Sequence, residues 1–334
     1  MSVRNVDSAI DRRHYFCSEG EKVLDAKIAI VSGATGFLGR CLVNRLLSEG
    51  WQVRAITSGL GMQSGRVLQS QVELFGLGEQ DIRSAVSRSC AYFNCAVVYD
   101  RQDTTDEEIL AVNVELPLRV IRHFLDHGGE FRCVLADTFN RKFPTNSTPQ
   151  PRYNASKKLL AEKLAQLCNE HVMSIVLLLI EHMYGPDDDS RKVIPFIARS
   201  LLHNVPRIAL TSGVQRRDFV HVHDVAAAMV AAYWGAKPGL TEAGCGSGES
   251  VALRDAVGLL RDVFASSSEL GFGDLANFPD EIVDSKADIS WLSSLGWKPE
   301  YTIDAGFRSL VPGTSQPPQV VAGKPYCDKI VLGC

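Results

Sequence analysis

Between Lys27 and Ile180 the chain alternates between two kinds of apolar pattern. Short runs of β-branched and aromatic residues, such as Ile28-Ala29-Ile30-Val31 and Val53-Arg54-Ala55-Ile56, precede longer stretches with helical spacing, such as Cys41-Leu42-Val43-Asn44-Arg45-Leu46-Leu47. The first kind reads as buried strands, the second as helices laid over them. The pattern predicts strands at 27–32, 51–57, 72–75, about 92–98, 131–135 and 173–180. Helices are predicted at 36–49, from Asp81, at about 107–126 and at about 153–170. Such alternation builds an α/β fold, a doubly wound parallel Rossmann sheet with right-handed crossovers.

The junction of the first strand and first helix carries Gly33, Gly36 and Gly39 at every third position. A turn of this kind presents unpaired backbone N–H groups and the positive end of a helix dipole, which suit a diphosphate. Gly33 permits the turn, Gly36 lets a pyrophosphate approach the backbone, and Gly39 lets helix and strand pack closely. With Thr35, Phe37 and Leu38, these residues form the predicted dinucleotide cradle. The second strand ends in Thr57-Ser58-Gly59, without the acid that binds a ribose diol. Ser58 and Arg40 instead suit a 2′-phosphate. NADP(H) is therefore the expected cofactor, with NAD(H) as the alternative.

This plan assigns residues 27–180 to a dinucleotide-binding domain, to which 214–236 returns as a strand and a helix capped by Asp224. Residues 181–213 and 237–312 make a smaller C-terminal substrate lobe, 1–26 a polar N-terminal extension, and 313–334 a loosely held tail. Above the fifth strand lies a polar, proline-containing loop. The helix after it opens Tyr153-Asn154-Ala155-Ser156-Lys157, with a phenol and an ammonium on one face. A phenol ordinarily loses its proton near pH 10. A lysine cation beside it favours the phenolate, so the pair can pass a proton to or from a carbonyl or carbinol oxygen while a nicotinamide moves hydride.

Composition narrows the class. The 334 residues suffice for a large core, and 45% hydrophobic with 22% charged residues is ordinary for a globular protein. A formal net charge of -4 argues against a nucleic-acid or anionic-membrane surface. Nine cysteines, an odd number with no C-x-x-C, suit reduced thiols in a cytoplasmic protein. Asp7, Asp11, Arg12, Arg13, Glu19, Glu21 and Asp25 leave no signal-peptide core, and the longest apolar run, around 172–180, is too short to span a bilayer. Asp187–Asp189 reads as solvated loop carboxylates, and no metal site is expected.

Taken with Asn113 in Val112-Asn113-Val114, Tyr184-Gly185-Pro186 and the stretch from Arg217 to Val225, these motifs resemble the extended, nucleotide-sugar-modifying branch of the short-chain dehydrogenase/reductase superfamily over roughly 27–311. Glu181-His182-Met183-Tyr184-Gly185-Pro186, Leu210–Gln215 and Asp137-Thr138-Phe139 look most like the abequose and paratose synthases, which reduce the 4-keto group of a CDP-4-keto-6-deoxyhexose. The resemblance implies a nucleotide-diphosphate sugar as partner, with Arg217 at its diphosphate; His182, just after an apolar strand at the cleft, is either a buried core histidine or a contact to the sugar. It also implies a homodimer through the helices near 107–126 and 153–170; Asn113 is read as holding helix backbone rather than touching substrate. The family places Ser or Thr at the end of the fifth strand, where this chain has Ala136. Thr138, two residues on, is the candidate hydroxyl, with Asp137 as a proton relay otherwise. The expected function is NADPH-dependent reduction of a nucleotide-linked 4-keto-6-deoxyhexose. Alternatives are an NAD-retaining epimerase or 4,6-dehydratase, and a non-catalytic cofactor-sensing or scaffold protein of the same fold. A dehydratase would show Asp-Glu where this chain has Asp137-Thr138.

Overall fold

The apolar runs come together as a parallel sheet with helices on both faces. A computed structural model describes residues 28–58, 68–86, 90–128, 131–144 and 150–313. The predicted N-terminal extension, most of the loop after the second strand and the tail beyond 313 lie outside the described residues. The strands are β1 (Ile28–Ser32), β2 (Gln52–Ile56), β3 (Val72–Phe75), β4 (Cys90–Asn94), β5 (Arg132–Thr138), β6 (Ser174–Ile180) and, later in the chain, β10 (Gly239–Cys245). They lie in the order β10-β6-β5-β4-β1-β2-β3, and every neighbouring pair is parallel. All seven residues of β6 are buried, as expected for a strand covered on both faces.

One face is covered by α1 (Phe37–Ser48), whose Leu42, Val43 and Leu46 share a core with Val225, Ala226 and Met229 of a later helix, Val222–Gly235. The other face is covered by α2 (Glu79–Ala85), α4 (Leu116–His127) and α5 (Pro151–Glu170), through Ile82, Ile121, Phe124, Leu160 and Leu164. The short helix α3 (Asp106–Leu110) runs into α4 through a π turn at Ala111–Glu115, where one smooth helix was expected. No helix among the described residues is long and apolar enough to cross a membrane.

The chain then builds a smaller part from β7 (His182–Tyr184), α6 (Val193–Leu202), β8 (Arg207–Leu210), β9 (Arg216–His221), α7 (Val222–Gly235, the helix already met), β11 (Ser250–Ala252), α8 (Leu253–Val263) and β12 (Glu269–Phe272). Strands β11, β9 and β7 form one small sheet, and β12 pairs with β8. Here the structure differs from the predicted plan. Of the stretch expected to return to the large sheet, α7 packs on it, but β9 pairs with β7 and β11 instead. The strand that does return is β10, beyond the predicted boundary, and it covers the edge that an apolar β6 would otherwise leave open.

Three local expectations also shift. The fourth strand stops at Asn94 because the next stretch is captured by a side chain: Val98 N–H donates to Asn113 Oδ1 (2.8 Å), and Asn113 Nδ2 donates to the Val98 carbonyl (2.9 Å). The fifth strand runs on to Thr138, paired with Ile180 of β6. Asp224 does not cap α7. The Nδ1 of His221 accepts the capping bond there, while the Asp224 carboxylate accepts from the backbone of Glu300 (3.0 Å) and Tyr301 (3.1 Å).

Candidate active site

The carboxyl ends of β1, β2, β4, β5 and β6 open into one cavity of about 1130 Å³, lined by Gly33, Thr57, Cys95, Thr138 and Glu181 among others. Gly33 has φ of +73°, and a Cβ there would lie 2.5 Å from the Ala96 nitrogen. A Cβ on Gly39 would lie 2.1 Å from the Gly33 carbonyl oxygen, so only glycine lets α1 approach the turn this closely. Between them Thr35, Gly36, Phe37 and Leu38 line the cavity, and α1 starts after Gly36 with no side-chain cap. Uncapped first-turn N–H groups at a cavity wall, with no Cβ in the way, fit a dinucleotide diphosphate. Ser58 lines the cavity as well. Arg40 does not: its guanidinium pairs with Asp187 at 3.6 Å.

Tyr153 and Lys157 both face this cavity from the first turns of α5. The helix begins at Pro151, earlier than predicted, because the ring presets the first-turn φ. Arg152 ties the helix start to the loop after β4, with its backbone N–H and Nε on Asp100 (2.9 and 2.8 Å) and its Nη2 on the Arg101 carbonyl (3.0 Å). Asn113 makes a second tie. Besides gripping Val98, its Nδ2 donates to Ser156 Oγ (3.0 Å), and Ser156 Oγ donates to the Tyr153 carbonyl (2.7 Å). The residue expected to hold helix backbone thus joins two walls of the cavity.

Lys157 Nζ donates to the Ala136 carbonyl at 2.8 Å and lies 5.8 Å from the centroid of the Tyr153 ring. Burial pushes the Tyr153 phenol well above its ordinary range; Tyr99 and Asp137 push the same way, and a hydrogen bond from Thr138 opposes them. In this geometry burial, rather than the lysine, sets the state of the phenol, and the proton is held. Burial also draws the Lys157 ammonium below its usual value, with Asp137 opposing. Ala136 contributes a carbonyl, and the hydroxyl beside the tyrosine comes from Thr138, which the extended β5 carries to the cavity. Asp137 is anchored: its carboxylate pairs with Arg141 and accepts the Thr138 N–H (2.8 Å), while Arg141 reaches on to Glu242 of β10.

His182 lines the cavity with its ring between Phe139 (centroids 5.0 Å apart) and Phe219 (5.7 Å). Burial pulls it down to about 3, so the imidazole is neutral. Arg217 is not among the lining residues. It is 3% exposed, donating to Glu281 (3.0 Å) and to the Arg216 carbonyl (2.7 Å), because β9 turns that side chain into the interior of the smaller part. The predicted solvated carboxylates are ion-paired: Asp187 with Arg40, Asp188 with Lys192 (2.9 Å), and Asp189 with Arg101 and Arg191.

Two lining residues escaped the sequence reading. Tyr99 packs its ring 5.2 Å from that of Tyr153, with Lys192 Nζ 5.6 Å from its centroid. It lies just past the strand predicted at about 92–98, and no motif marks it. Glu181 is buried, and burial pushes its carboxyl up to about 7. The available signal was an acid directly after seven apolar or small residues, 174–180.

Residues 29–239 match the NAD dependent epimerase/dehydratase family. The chain is 30% identical over 296 residues to CDP-abequose synthase of Salmonella typhimurium, covering 84% of this chain and 96% of that one. It is 28% identical over 290 residues to CDP-abequose synthase of Salmonella muenchen, covering 85% and 97%. Its fold is similar to that of UDP-glucose 4-epimerase from Thermotoga maritima with UDP-glucose, at a TM-score of 0.71 and 17% identity over 84% of this chain and 96% of that one.

Proposed function

This chain belongs to the NAD dependent epimerase/dehydratase family as an NAD(P)-dependent oxidoreductase, and from that premise we propose that it uses NADPH to reduce the 4-keto group of a nucleotide-linked 4-keto-6-deoxyhexose. The similarity to CDP-abequose synthases supports a sugar substrate. One arrangement carries the reading. A buried phenol stands beside a hydroxyl and an ammonium, in the cavity that also holds the glycine turn. A proton-bearing acid is what a carbonyl oxygen requires as it becomes an alcohol.

In this reading Tyr153 gives its proton to the sugar's carbonyl oxygen. Thr138 donates a hydrogen bond to the same oxygen, and Lys157, steadied by the Ala136 carbonyl, stabilises the phenolate left behind. The N–H groups of Thr35, Phe37 and Leu38 hold the cofactor diphosphate, while that of Gly36 closes the turn on the Gly33 carbonyl (2.9 Å), and Thr57 and Ser58 face its ribose. NADPH is proposed because β2 ends without a carboxylate; Arg40, tied to Asp187, is given no part in it. Bound NADPH supplies the hydride. His182 contacts the sugar, while Arg217 serves the fold. The reading includes the homodimer through α4 and α5 that the resemblance implies.

The test is NADPH oxidation against CDP-, dTDP-, GDP- and UDP-linked 4-keto-6-deoxyhexoses, with the new carbinol assigned by NMR. Consumption of NADPH with one of them supports the reading. Copurifying NAD and no net consumption across the panel would replace it with an epimerase.

A further inference from the structure

Glu181 stands in the cavity wall with no part in the chemistry above. Its backbone N–H is bonded to the Cys245 carbonyl (2.9 Å), fixing it where β6 and β10 end. Its side chain is 4% exposed, and Oε2 accepts from Ser285 Oγ at 2.8 Å. The same oxygen lies 3.7 Å from Nδ1 of His182. That nitrogen is buried without a hydrogen-bond partner, an arrangement that is costly unless something answers it. Phe139 and Phe219 hold the ring on two sides, which limits reorientation. His182 lines the cavity, and Nε2 is not among its buried unpartnered atoms.

We propose that Glu181 is a positioning residue for His182: its carboxylate accepts the Nδ1–H, leaving the Nε2 lone pair to accept a hydrogen bond from a hydroxyl of the sugar. The inference rests on the nucleotide-sugar reading of this cavity. A neutral imidazole carries one N–H, and the partner of one nitrogen decides what the other offers. The ring here is neutral, with Arg217, Lys192, Asp218 and Glu281 as its other charged neighbours, and Arg217 and Asp284 beside Glu181. A movement of well under 1 Å brings Nδ1 within bonding distance of Oε2. The substrate class follows: the sugar must present a hydroxyl donor to this wall, and an analogue methylated or deoxygenated there loses the bond.

The experiment reads the tautomer directly. Protein labelled with 15N-histidine is examined by long-range 1H–15N correlation at pH 8 without substrate, His182 being assigned by its absence from a His182→Gln sample. The expected result is a protonated, pyrrole-type Nδ1 and a pyridine-type Nε2. In Glu181→Leu no acceptor faces Nδ1, so the ring shifts toward Nε2–H. The sugar KM then rises about tenfold, the loss of one hydrogen bond, with kcat and the NADPH KM within about twofold. A wild-type proton on Nε2 overturns the proposal, and so does a Glu181→Leu variant with unchanged sugar KM. Should that variant not fold, the wild-type tautomer decides. The tautomer is read without substrate, so failure of every nucleotide sugar to react would sink the proposed function and not this measurement.

Discussion

The Arg217 guanidinium and the Glu281 carboxylate meet at 3.0 Å with 3% and 11% of their side chains exposed, away from the cavity lining. Breaking a buried ion pair from one side typically costs about 3–5 kcal/mol, because the other charge keeps its desolvation penalty. Arg217→Ala should therefore lower the denaturation midpoint markedly. Arg217→Ala with Glu281→Ala should recover part of the loss, as a double-mutant cycle by urea unfolding will show.

Asn113 answers both backbone groups of Val98 and bonds Ser156, which in turn bonds the Tyr153 carbonyl. Asn113→Ala strands these polar groups at a cost of about 1–3 kcal/mol. It should also lower kcat more than it raises KM, since the tyrosine is held less firmly. Steady-state kinetics alongside thermal melts separate the two effects.

Gly39 leaves no room for a side chain: a Cβ would stand 2.1 Å from the Gly33 carbonyl oxygen. Gly39→Ala must push α1 from the turn that presents the cradle N–H groups. NADPH affinity, measured by fluorescence titration, should fall at least tenfold, about 1.4 kcal/mol. An unchanged Kd would mean that the cradle lies elsewhere.

Glu181 gives stability a pH dependence of definite sign. Its folded carboxyl is pushed up to about 7 from an ordinary 4.5, mainly by burial, with Ser285 and Arg217 opposing and Asp284 assisting. A raised pKa favours folding while the group is protonated. That contribution is complete below the unfolded value and is lost as pH rises through about 7, to a limit of about 3 kcal/mol. Melting temperatures of wild type and Glu181→Gln should match more closely at pH 4 than at pH 8, with the variant relatively more stable at pH 8.

Six strands of the large sheet were legible because their signals are local, while β10, which joins it from beyond the predicted boundary, was not. The β1 turn, the apolar run of β6 and the Tyr153/Lys157 pair each reveal themselves within a dozen residues. What the pattern missed depends on partners far along the chain. The end of β4 is decided by Asn113, the fate of Arg217 by Glu281 sixty-four residues away, and the orientation of Asp224 by the backbone at 300–301. Thr138 reaches the tyrosine because β6 extends the pairing of β5 to its last residue. Tyr99 carries no motif and Glu181 opens one without a role of its own, so their position on the cavity wall is what sets them apart.

The central claim is that a sugar carbonyl takes its hydride from NADPH and its proton from Tyr153. The most direct measurement is transfer from NADPH deuterated at the transferring C4 position, followed by NMR of the sugar product, for wild type and Tyr153→Phe. The account predicts one deuterium at sugar C4 for each NADPH consumed, and a rate at least about a hundredfold lower in Tyr153→Phe. Absence of deuterium at that carbon, or wild-type turnover by Tyr153→Phe, would contradict it.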